Sequence, residues 1–183
     1  TFLQILANET GEKPEDILCF DLSVYHYAEP VRTGFSGDMF MAPRIDNISS
    51  VQACLTGLIE ANPSGGISVA VLFDHEEIGS RSKNGANGNL LSYTLERICN
   101  AINISRENFL QSLVHSYYLS LDVAHAIHPA HPEKSDITSA MPLNRGFAIK
   151  ASAKHAYCSD DDMTGVILQL AARHHIACPQ NHM

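Results

Sequence analysis

The chain has 183 residues, of which 45% are hydrophobic, and a formal net charge of −8. There is no Lys/Arg-rich run and no interleaving of basic and aromatic residues, so a nucleic-acid partner is not expected. No apolar run approaches the ~20 residues that a membrane helix needs, and the length predicts one core and one domain.

"TFLQILANET" reads as a short helix closed by Gly11, and Lys13-Pro14-Glu15-Asp16 starts another element. "ILCFDLSVYHY" (17–27), rich in Phe, Val and Tyr, predicts a strand. Residues 29–47 carry Pro and Gly at both ends and read mostly as loop. From Asn47 to Ala61 the apolar residues Ile48, Val51, Cys54, Leu55, Leu58 and Ile59 recur at three and four, which predicts an amphipathic helix. "NPSGG" ends it, "ISVAVLFD" (67–74) predicts a buried strand, and "GSRSKNGANGN" a Gly-rich turn. Helices are predicted over 90–102 and again after Glu107, the second leading into a short strand that ends near Asp122. Residues 128–142 are Pro-rich loop, and 146–152 predict a strand. Residues 159–176 predict a helix with Ser159 and three acids at its start and Val166, Ile167, Leu170 and Ala171 inward. Strands alternating with helices predict an α/β protein, a three-layer α/β/α sandwich around a central mixed sheet.

Five cysteines, odd in number and without a close pair, read as buried small residues in a reducing, cytoplasmic setting. "TFLQILANET" has neither the basic start nor the apolar core of a signal peptide, and it lacks an initiator Met. The start is either processed or internal to a longer chain.

The unusual polar residues lie at the C-terminal ends of predicted strands or just beyond: Asp46, the run Asp74-His75-Glu76-Glu77, and Asp122 with His125. That edge is where open α/β sheets bind ligands. Carboxylates that stay ionised and close together need cations, and a carboxylate and imidazole set suits Zn²⁺, Mn²⁺ or Co²⁺. Each stretch has a plainer reading. Asp46 or Asn47 is a helix N-cap, "HEE" a solvated turn, "LDVAHAIHP" a strand with satisfied histidines, and "SDDD" a charged first turn. His115, His131, His155, His174, His175 and His182 read as surface or loop residues.

"APRIDN", "LFDHEEIGS", "DVAHAIHP" and "AIKASAKHAY", in that order, resemble the aspartyl aminopeptidases of the M18 family of dinuclear metallo-aminopeptidases. The resemblance spans about Leu3 to Pro179. It implies that two divalent ions, zinc with Mn or Co as alternatives, are bound with Asp46 bridging and with Glu77 and Asp122 as ligands. It implies that Glu76 is the general base and that His125, Lys150 and Tyr157 contact substrate. It further implies a peptide substrate with an acidic N-terminal residue and a homo-oligomer, of which the dodecamer is the best-known form. Residues 1–40 would be the exit from an inserted dimerisation domain and 41–183 part of the catalytic domain. Two histidines of the family's metal sites have no counterpart here, and Arg81 stands where the family has an acid. These 183 residues are therefore expected to be part of a longer enzyme. The competing expectations are a non-catalytic module of the same fold and a dinuclear aminopeptidase of broader specificity.

Overall fold

The computed structural model describes residues 1–136, 139–151, 157, 159–178 and 180–182; His155 and Cys158 lie outside the described residues. The chain divides into two units, Thr1–Arg44 and Ile45–Met183, where the length alone suggested one domain.

In the first unit, α1 (Phe2–Thr10) begins at Thr1, whose side chain accepts the Gln4 N–H, and ends at Gly11 in the left-handed region. A 3-10 turn follows at Pro14–Asp16. Residues 17–27 are not a strand: they find no ladder partner among the described residues, and Leu18 and Val24 stand 92% and 101% exposed. A β-rich composition becomes a strand only when another strand takes its backbone groups. The stretch expected to be loop instead holds a hairpin, β1 (Val31–Thr33) antiparallel to β2 (Met39–Met41), with Arg32 opposite Phe40. Three-residue strands are too short for alternation to reveal. The Arg44 guanidinium lies 5.0 Å over the Tyr25 ring.

The second unit opens with α2 (Ile45–Glu60), in which Asp46 and Asn47 have non-helical angles, so the regular helix starts after Asn47. Residues 67–73 run on without a ladder partner among the described residues, so the second expected strand is not formed either. A 3-10 turn at Glu76–Ile78 leads into a coiled loop, then α3 (Leu90–Ala101) and α4 (Arg106–Val114). The short strand expected to end near Asp122 is not formed among the described residues. The strand β3 (Ile149–Ala151), the helix α5 (Asp161–Arg173) and the strand β4 (Gln180–His182) form a βαβ unit, with β3 parallel to β4 and Lys150 opposite Asn181. The start of α5 also differs from expectation. Asp160, not Ser159, is the N-cap and accepts the Met163 N–H at 2.7 Å, while Ser159 Oγ donates to the Lys150 carbonyl at 3.2 Å.

Packing is thin. The buried apolar residues among those described are Ala7, Phe109, Met141 and Ala171. The chain exposes 15527 Å², against about 8,700 Å² for a folded monomer of its mass. On α5 only Ala171 is buried, and Val166 and Leu170 remain exposed. The cysteines expected inside are not there either. Cys19 is exposed and Cys54, Cys99 and Cys178 are half-buried, because the faces that carry them are not packed by the described residues. The helices are amphipathic as the sequence requires, but much of their apolar surface has no cover among the described residues.

Candidate metal centre

The first constellation joins three distant parts of the second unit. Asn47 Nδ2 donates to the Leu121 carbonyl at 3.2 Å, which ties the start of α2 to the segment ending in Asp122. Asp122 Oδ1 accepts its neighbour's N–H, Val123, at 2.7 Å, and Oδ2 accepts the Lys150 ammonium at 2.8 Å. Hydrogen bonding from Lys150 holds the Asp122 carboxyl below the usual carboxylate range; the Val123 N–H, the Lys150 charge and a side-chain contact with Asp46 add to this, and partial burial opposes it. Asp46, Asp122 and Lys150 are thus brought together, from positions that no short-range signal connects. The Asn47 tie was missed from sequence, and the "RIDN" stretch gave only its capping character as a signal.

The second constellation is the loop that begins "DHEEIGS". Asp74 is exposed, but its carboxylate is engaged by the next residue. Its Oδ1 accepts the His75 N–H at 2.8 Å, and its Oδ2 lies 3.6 Å from His75 Nε2. His75 has φ 60°, and its Nδ1 lies 2.6 Å from Ser82 Oγ. The chain then turns through Glu76, Glu77 and Ile78 in 3-10 form to Gly79 at φ 97°, a value that suits only glycine well. With three residues per turn, the two glutamates leave the axis about 120° apart, so they address different directions. The Ser80 N–H donates to the His75 carbonyl at 2.9 Å and the Asn87 N–H to the Ser80 carbonyl at 3.0 Å, while the Asp74 N–H reaches the Asn84 carbonyl at 3.1 Å. Gly85 is buried against the Ser80 backbone, and a Cβ there would meet Ser80 Cα at 2.9 Å. The Gly-rich run is a brace that fixes where Glu76 and Glu77 stand. Ser82 and Gly85 are its working residues, and sequence reasoning had assigned neither a role.

Glu76, Glu77 and His125 are exposed, and no described hydrogen bond or ion pair joins either glutamate to Asp46 or Asp122. Tyr157 is 37% exposed, and residues 152–156 and 158 around it lie outside the described residues. Among the described residues, no three His, Cys, Asp or Glu side chains gather closely enough to hold an ion. The donor chemistry of Asp46 and Asp122, two carboxylates converging on one place, fits a divalent cation, but the described residues supply only part of a ligand set.

The family described as aminopeptidase I zinc metalloprotease (M18) matches residues 1–183. The chain belongs to the M18 family. A probable M18 family aminopeptidase 2 of Clostridium novyi is 38% identical over 171 residues, covering 93% of this chain and 40% of that protein. An aspartyl aminopeptidase of Aspergillus oryzae is 32% identical over 184 residues, covering 93% of the chain and 37% of that protein. This M18 chain therefore spans about two fifths of the length of the curated relatives it matches. The solved S. cerevisiae mApe1 dodecamer has a subunit that matches 99% of the chain with TM-score 0.83 at 24% identity, over 43% of its own length. That likeness establishes the α/β fold expected from the alternating elements. Among the described residues of the M18 chain, the strands form two separate two-stranded sheets, one in each unit.

Proposed function

We propose that the whole protein is a zinc-dependent M18 aminopeptidase that removes an N-terminal Asp or Glu from peptides. The observation that carries this reading is the meeting of Asp46, Asp122 and Lys150 within a chain that matches the M18 family throughout. Asp46, Asp122 and Glu77 would be the residues of this chain that hold the divalent ions. Zinc, when bound, supplies a Lewis acid that polarises the scissile carbonyl. Glu76, held on its 3-10 turn, takes a proton from the attacking water at its carboxylate and passes it to the leaving amine. His125 and Tyr157 contact the substrate backbone. Lys150 binds the acidic side chain, because a charge-assisted hydrogen bond is about twice as strong as a neutral one.

The name of the Aspergillus oryzae relative supports the acidic preference. Residues 1–40 are proposed as the exit from an inserted domain, and 41–183 as part of the catalytic domain. The whole protein is proposed to be a homo-oligomer, which light scattering would test; the dodecameric assembly of the S. cerevisiae mApe1 neighbour supports that reading. The incomplete donor set among the described residues favours, as a second reading, a non-catalytic module of the same fold.

Hydrolysis of Asp- and Ala-terminated peptides by the whole protein, with and without chelator, separates the readings. The expected result is chelator-sensitive cleavage with Asp preferred. Glu76→Gln is expected to lower kcat by about 10³ with metal retained, and Glu77→Gln to lose metal. Indifference to chelator, or a fully active Glu76→Gln protein, would refute the catalytic reading.

A further inference from the structure

Lys150 occupies an unusual place for a residue proposed to read substrate. Its ammonium is spent on Asp122, at 2.8 Å from Oδ2, while the other oxygen of that carboxylate takes the Val123 N–H. Asp46 adds a weaker side-chain interaction to the same carboxylate. Two acids and one ammonium therefore share the spot, and the ammonium is the only cation that the described contacts bring to it. The backbone of Lys150 is fixed, because it lies in the ladder with β4 and its carbonyl accepts the Ser159 hydroxyl. What can move is the four-carbon side chain, a compact charge on a flexible stem.

We infer that Lys150 is the counter-ion of Asp122 when no metal is bound, and that loading a divalent ion and releasing Lys150 towards substrate are a single exchange. The inference rests on the metallo-aminopeptidase reading above. A doubly charged ion is attracted to the same pair of carboxylates about twice as strongly as an ammonium at equal distance, which favours the exchange once the remaining ligands of the whole protein replace the ion's water. Once displaced, the ammonium is free for the acidic group of a substrate. Metal loading and acid recognition are then linked, and linkage makes the effect mutual: an acidic ligand on Lys150 tightens metal binding by the same factor.

The test uses the whole protein, stripped with chelator and titrated with zinc, its lysines carrying ¹³C-methyl groups. The Lys150 signal is assigned by its loss in Lys150→Arg. That signal is expected to move in proportion to zinc bound, and Lys150→Met is expected to bind zinc about 1.4-fold to fivefold more tightly at one site, the range for loss of a partly exposed ion pair. A Lys150 signal unmoved at saturating zinc, or Lys150→Met binding zinc no better than the unsubstituted protein, overturns the exchange while leaving the metal reading intact. No zinc uptake at all overturns both. If Lys150→Met fails to fold, the signal in the unsubstituted protein decides alone.

Discussion

Gly85→Ala tests whether the Gly-rich loop braces the two glutamates. The added Cβ would sit 2.9 Å from Ser80 Cα and closer still to the Ser80 carbonyl, and these are backbone atoms that cannot rotate away. Relief requires moving the Ser80 peptide, which breaks the bond from the Asn87 N–H at 3.0 Å and strains the one from the Ser80 N–H to His75 at 2.9 Å. One lost hydrogen bond costs roughly 1 kcal/mol, and overpacking a tight site adds about 1 kcal/mol at the low end of its range. A penalty of ~2 kcal/mol speeds hydrogen exchange of the Ser80 and Asn87 amides about thirtyfold. Amide exchange read by NMR measures it directly. Gly57→Ala in α2 is the reference, since nothing lies within 4 Å of its added Cβ, and a helix gains about 0.5–1 kcal/mol from the change. Unchanged exchange at Ser80 and Asn87 in Gly85→Ala would refute the brace.

Three further outcomes are expected. Asp160→Ala should cost α5 about 1 kcal/mol, and Ser159→Ala should leave the cap intact, with helicity by circular dichroism as the readout. In the metal-free chain, Asp122 has its folded pKa lowered, chiefly by Lys150; its stabilising contribution is present above the unfolded value of about 3.9 and is lost as pH falls through the folded value. That contribution is small, because Asp122 is 49% exposed. Lys150→Met should raise the Asp122 pKa in an NMR titration, and an unchanged titration would mean that the pair does not exist in solution. In the whole protein, Lys150→Met should lower kcat/KM far more for Asp-terminated than for Ala-terminated peptides; equal losses would remove Lys150 from acid recognition.

Helices were the legible part of the fold. The three-and-four spacing from Ile48 to Ile59 locates α2, and the acids before Met163 locate the start of α5 to within one residue. Strands were much less so. Residues 17–27 and 67–73 have the composition of strands, but a strand is completed by a neighbour that its own residues do not specify. In the candidate centre, the carboxylates announced themselves as costly charges, whereas their grouping did not. Asp46, Asp122 and Lys150 meet only through the fold. Asp74 carried the same signal as its neighbours and is used instead to orient His75, a local role indistinguishable in sequence from a ligand's.

The two constellations differ in how much chain each must gather. His75 and Ser82, which clasp the loop, are 7 residues apart, while Asn47 and Leu121, which tie the carboxylates together, are 74 apart. On chain entropy alone, the longer closure costs about 2 kcal/mol more, and it waits on everything between. The loop that presents Glu76 and Glu77 is therefore an early, self-sufficient structure, and the carboxylate centre a late one. A ribosome that has released residues 1–100 has already issued the first, while the second needs Lys150 to emerge before its charges balance.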